Sequence, residues 1–141
     1  MLKQLLSLDD PAAEHIAKDP VRGHIPAIDR ISNNKEVYYW EKDGEVAAMV
    51  CVAHCSHVPE DEDEINNEGT DFPILYTIWS YSHFAGRRLA LSVVDHFRQL
   101  GIAKGVYTLS PKTDTARRFH MANRATLFRE NENTYNFYYK L

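Results

Sequence analysis

Apolar and polar positions follow different periods along the chain, and each period predicts a different element. "EVYYWEKDGEVAAMVCVAH", from Glu36, holds two apolar runs rich in β-branched and aromatic residues around Lys42-Asp43-Gly44. Asp-Gly supplies the positive φ a two-residue turn needs, so an antiparallel hairpin is predicted. "ILYTIWSY" and "GVYTLSP" are short continuous apolar runs and read as buried strands. Between them, "GRRLALSVVDHFRQLG" from Gly86 places Leu89, Ala90, Val93, Val94, Phe97 and Leu100 at helical spacing, with Gly101 as the stop. "TDTARRFHMAN" predicts a short helix capped by Thr113 or Asp114, and "TLFRENENTYNFYYKL" a closing pair of strands. Near the start, Asp9 or Asp10 as N-cap and Pro11 in the first turn open a helix with Ala12, Ile16 and Ala17 on one side. Pro20, Gly23 and Pro26 break the next stretch into turns. Residues 59–73, acidic and rich in turn formers, read as a solvated surface loop.

The order is helix, hairpin, loop, strand, helix, strand, helix, hairpin, an α+β arrangement whose helix-connected strands run parallel. A chain of 141 residues with 44% hydrophobic content supports one core, so a single domain is expected over 1–141. Sixteen Lys and Arg against 20 Asp and Glu, without a basic stripe, argue against a nucleic-acid partner while leaving room for a small anionic ligand. No apolar run reaches the roughly 20 residues that cross a bilayer, and "MLKQLLSL" is too short for a signal peptide; no membrane role is expected and the chain reads as cytoplasmic. Cys51, His54, Cys55 and His57 cluster in sequence but lack a second, distant ligand pair, and strand alternation sends Cys51 and His54 to opposite faces. Reduced thiols are expected there, not a metal. The acidic run likewise lacks EF-hand spacing. The hairpin edges are open to pairing across a homodimer.

This order resembles the acyl-CoA N-acyltransferase (GNAT) fold, a mixed sheet flanked by helices. The resemblance implies that acyl-CoA enters a splay between the fourth and fifth strands, with its pyrophosphate on the start of the intervening helix. Phe84, Ala85, Gly86, Arg87 and Arg88 fall there, and a helix N-terminus with a glycine and two arginines suits an anion. Of the fold's Arg/Gln-x-x-Gly-x-Gly/Ala signature, "YSHFAG" keeps Gly86 and has Tyr81 and Phe84 at the other positions.

The C-terminal two thirds, roughly residues 46–141, carry a sharper resemblance. "LYTIWSY", a helix, "VYTLSP" and "ARRFHMANRA" running on to "NENTYNFYYKL" look like the catalytic domain of malonyl-CoA decarboxylase. That resemblance carries a catalytic serine onto Ser110 and a catalytic histidine onto His120. It implies substrate contacts from Asn123, Asn136 and the segment Ile78, Trp79 and Ser80, whose backbone N–H groups would hold the thioester oxygen. Loss of CO2 from a malonyl thioester leaves an enolate that needs stabilising donors and then a proton, which a histidine titrating near neutrality supplies. No cofactor beyond the coenzyme A of the substrate is required. The family's glutamate before the loop glycine is replaced by Phe84-Ala85, which leaves the histidine without its usual partner.

Two other classes stand beside this one. An acyltransferase acting on an amine would use the same groove and need a base, for which Glu64 and Tyr138 are candidates. A non-enzymatic acyl-CoA-binding module would need neither. Read without the resemblance, Ser110 before Pro111 simply ends a strand and His120 is a core histidine.

Overall fold

The computed structural model describes residues 1–101 and 103–141. Its strands are β1 (Leu2–Leu5), β2 (Lys35–Lys42), β3 (Glu45–Cys55), β4 (Phe72–Ser80), β5 (Gly105–Thr108), β6 (Ser110–Pro111), β7 (Thr126–Glu130) and β8 (Thr134–Lys140); the helices are α1 (Ala85–Leu100) and α2 (Asp114–Ala122). Among the described residues all eight strands join one sheet, in the order β1-β2-β3-β4-β5-β8, with β6 and β7 also on β8. Every pairing among the described residues is antiparallel except β4 with β5.

The predicted hairpin is β2–β3, closed at Lys42 and Glu45 with Asp43 at φ 54° and Gly44 at φ 79°. Positive φ at both central residues gives the twist a two-residue connection needs. Alternation along β3 then divides the core. Ala48, Val50 and Val52 face α1 with Leu89, Val93 and Phe97, while Met49, Cys51, Ala53 and Cys55 face the opposite side. Each fully buried aliphatic or aromatic side chain contributes about 1.5–3 kcal/mol. α1 ends as predicted on Gly101, at φ 65°, although Leu100 is exposed.

Three predictions on the other face need correction. The N-terminal helix is a 3-10 helix, Pro11–Lys18, capped by Asp10 through Ala12 N–H; Ala12 and Ile16 are buried but Ala17 is exposed. "MLKQLLSL", given no element in the sequence, holds the edge strand β1. Residues 59–73 lie largely at the surface, as expected, but are not a bare solvated loop. They contain a 3-10 helix, Glu62–Asn66, that buries Ile65, and the start of β4. The segment is fastened by its own polar groups: Asp61 and Glu64 form a capping box, and the Pro59 and Glu60 carbonyls accept from Asn136 and Thr134.

The two buried cysteines are free thiols facing away from His54, which pairs with Glu36 on the α1 side. Among the described residues no group of three His, Cys, Asp or Glu side chains is placed to hold a metal, and no helix is long and apolar enough to cross a membrane.

Candidate functional site

The site begins where the sheet comes apart. β4 and β5 are paired only at Ile74–Tyr107 and Leu75–Thr108, and the last contact between them is Leu109 N–H to the Leu75 carbonyl at 2.9 Å. One residue later β4 takes a bulge: Leu75 faces Val52 and Thr77 faces Cys51, so Tyr76 has no partner of its own on β3. A bulge adds twist and swings the strand away from its neighbour. Residues 77–80 keep β3 on one edge and, among the described residues, have no strand on the other, which leaves alternate N–H and C=O groups outside any ladder.

A cavity of about 450 Å³ occupies the split. Ile78, Trp79 and Ser80 form one wall, Ser110 and Pro111 the facing wall, and Gly86, Ala116, Phe119 and His120 close the α-helical side. Among the described residues no Asp, Glu, Lys or Arg lines it. Gly86 keeps this crossing close: a Cβ there would come 3.3 Å from the Phe119 ring, a tight approach to which the ring must yield by a few tenths of an ångström, and 3.4 Å from Ser80 Oγ, an ordinary contact. The first turn of α1, whose N–H groups have no intrahelical acceptor, therefore opens beside the cavity.

Ser110 and His120 line the same cavity, but no hydrogen bond joins them. Ser110 is held by Thr108, with Oγ to Oγ1 at 2.8 Å; Thr108 Oγ1 also accepts Phe137 N–H at 3.0 Å. His120, 3% exposed, is fixed by Nδ1 against the Tyr139 hydroxyl at 2.7 Å and by its ring stacked on Phe137. Thr113, the N-cap of α2, sets the entry of the helix that carries it. Burial lowers the His120 pKa to about 4, well away from the neutral value expected of a proton-donating imidazolium. The imidazole is neutral at pH 7. Because Tyr139 can donate or accept, either tautomer is accommodated, with Nε2 as acceptor or donor.

The other predicted site residues divide. Asn123 lies behind His120, reaching the Tyr139 hydroxyl at 3.5 Å and accepting from Arg87 at 3.3 Å, so it supports the histidine's partner and does not line the cavity. Arg87 also donates to the Ala122 carbonyl at 2.8 Å, tying α1 to the end of α2. Arg88 turns away, toward Trp40 and Met1. Ala85 is buried, and Phe84 is exposed in the left-handed region at φ 65°. Asn136 is fully buried and spent elsewhere: it donates to the Thr108 and Pro59 carbonyls and accepts from Arg129 and Asn131. Neither base suggested for amine acylation lies at the cavity. Glu64 caps residues 60 and 61 and pairs with His57, and Tyr138 packs against Gly105 and Tyr107.

Sequence reasoning missed Thr108 and Tyr139, which position the serine and the histidine. It also missed the Pro20-Val21 turn that covers the cavity's far end. None of these residues carries a signal without a fold.

No protein-family model and no curated protein matches the chain. Solved structures do. Campylobacter jejuni N-acetyltransferase PseH in complex with acetyl coenzyme A superposes with a TM-score of 0.68 at 13% identity, over 99% of this chain and 97% of that one. A Bacillus subtilis acetyltransferase in complex with CoA gives 0.70 at 10% identity, over 99% and 97%. Malonyl-CoA decarboxylase from Cupriavidus metallidurans gives 0.56 at 19% identity, over 79% of this chain and 30% of that one. The fold is therefore the GNAT N-acyltransferase fold.

Proposed function

We propose that the chain binds an acyl-CoA in the split between β4 and β6 and transfers its acyl group to an amine, acting as one catalytic domain over 1–141. The observation that carries this reading is the end of β4–β5 pairing at Leu75, beside the cavity and the open N-terminus of α1. The pantetheine arm enters between the strands, with the pyrophosphate near Gly86. Structures of the same fold in complex with acetyl coenzyme A or CoA support the choice of an acyl-CoA as ligand.

The amine nitrogen attacks the thioester carbonyl carbon, and unpaired N–H groups of residues 77–80 take the growing charge on its oxygen. The adduct's ammonium gives a proton to neutral Nε2 of His120, the C–S bond breaks, and the departing thiolate takes that proton. The products are an amide and free CoA. A base with a pKa near 4 suits the acidic tetrahedral adduct better than a free ammonium ion. Ser110 hydrogen-bonds the thioester or the incoming amine. The uncharged lining favours a neutral acyl group, since a carboxylate there would be desolvated without a counter-ion.

Malonyl-type decarboxylation is the second reading, favoured by the juxtaposition of Ser110 and His120 opposite Ile78–Ser80 and by the partial likeness to malonyl-CoA decarboxylase. Mass spectrometry of the protein with acetyl-CoA and an amine panel, and separately with malonyl-CoA, tests both. Amine-dependent release of CoA is the expected result. Amine-independent loss of CO2 that disappears in His120→Ala selects the second reading, and neither product rejects both.

A further inference from the structure

The closed end of the split is occupied by a cation that neither mechanism uses. Arg22, 8% exposed, enters from the irregular segment between the 3-10 helices Pro11–Lys18 and Ala27–Arg30. Its Nε donates to the Tyr76 carbonyl at 2.8 Å and its Nη2 to the Leu109 carbonyl at 3.0 Å, while Nη1 meets Glu62 at 3.0 Å. Tyr76 is the bulged residue of β4, and Leu109 makes the last rung between β4 and β5. Two carbonyls face each other there, and carbonyls cannot bond each other. The guanidinium supplies the donors a next rung would need, and a planar fork seated between two carbonyls is wider than the direct N–H to C=O contact of strands roughly 4.8 Å apart.

Arg22 is itself fixed from behind. Its N–H donates to Asp19 Oδ1 at 3.0 Å, and its carbonyl accepts from Arg30 Nη2 at 2.6 Å. Asp19 and Arg30 form a buried ion pair at 2.6 Å, and Asp19 Oδ1 also accepts from Thr77 on β4 at 3.0 Å. Apart from Glu62, at the start of the 3-10 helix Glu62–Asn66, every partner sits on the β4 wall, on β6's approach or in the segment that spans them.

We propose that Arg22 is the positioning residue that sets the width of the ligand slot, holding the Ile78–Ser80 wall at a fixed distance from Ser110 whether or not a ligand is bound. The ligand-binding consequence rests on the acyl-CoA reading; the wedge itself does not.

The test compares wild type with Arg22→Lys, which supplies one donor group in place of a planar fork. Calorimetry measures CoA affinity, and hydrogen exchange without ligand measures amides 76–80. The expected result is a cooperative melt, CoA binding weakened about tenfold, the equivalent of one lost charge-assisted hydrogen bond, and slower exchange in 76–80 as the strands close. Wild-type affinity with unchanged exchange overturns the proposal. If wild type binds no CoA, the coenzyme reading fails and the exchange experiment alone decides the wedge. If Arg22→Lys does not fold, Arg22→Ala is assayed with ethylguanidinium and with ethylammonium. Recovery of the melt by the guanidinium compound alone supports the wedge, and no recovery rejects it.

Discussion

The Tyr139 hydroxyl lies 2.7 Å from Nδ1 of His120, so the side-chain partner of this buried ring is a neutral group that donates or accepts. Burial also raises Tyr139, to about 12, so it keeps its proton throughout the working range. The pair is a hinge for tautomers and holds no fixed charge.

Acid is therefore expected to destabilise the fold. His120 titrates near 6.5 unfolded and about 4 folded, so between those values the unfolded chain holds a proton the native chain refuses. Stability is unaffected above pH 6.5 and falls as pH drops toward 4, by about 3 kcal/mol at about 1.4 kcal/mol per pH unit. Urea unfolding across that range, wild type against His120→Gln, should show the variant losing this part of the slope. Equal slopes would place the proton elsewhere.

Ser110→Ala and His120→Ala should each lower turnover by about 100-fold while CoA affinity stays within about twofold. Thr108→Val tests the positioning of the serine. It removes the acceptor of Phe137 N–H and the partner of Ser110, and should cost about 1–2 kcal/mol of stability together with a fall in kcat at unchanged KM for acyl-CoA. Wild-type kcat in Thr108→Val would show that Ser110 needs no orientation.

Gly86→Val should close the slot where α1 meets α2. With its Cβ against Phe119 and Ser80, the valine narrows the mouth and weakens CoA binding about tenfold or more. Calorimetry decides; an unchanged affinity would move the coenzyme off the start of α1.

Among the described residues the buried Tyr76 hydroxyl meets no oxygen or nitrogen partner, only the weakly bonding thiol of Cys51. An unmade hydrogen bond costs roughly 1–3 kcal/mol, so Tyr76→Phe is expected to raise the melting temperature. A lower melting temperature would reveal a bound partner for that oxygen.

What the sequence revealed was mostly local. The Asp43-Gly44 turn, the stripe on α1 and the Thr113 cap each depend on residues a few positions apart, and each is present. Ser110 and His120 were legible only through a family resemblance, because a serine before proline and a histidine on a short helix carry no signal of a shared cavity. Arg22 read as part of a stretch broken by Pro20 and Gly23, and Asp19 as the end of the segment that holds the first helix. Their partners Tyr76, Thr77 and Leu109 lie more than fifty positions away, and no periodicity reports such distances. Glu64 and Tyr138 failed as candidate bases for a similar reason. Residue type suggested chemistry, while the capping box and the packing over Gly105 had already employed them.

The most direct test of the acyl-CoA reading is amide chemical-shift mapping of the full chain during titration with CoA. Saturable shifts concentrated in residues 76–80, 85–88 and 110–120 are the result this account predicts. Absence of saturable binding, or shifts confined to β1, β2 and β7, would contradict it.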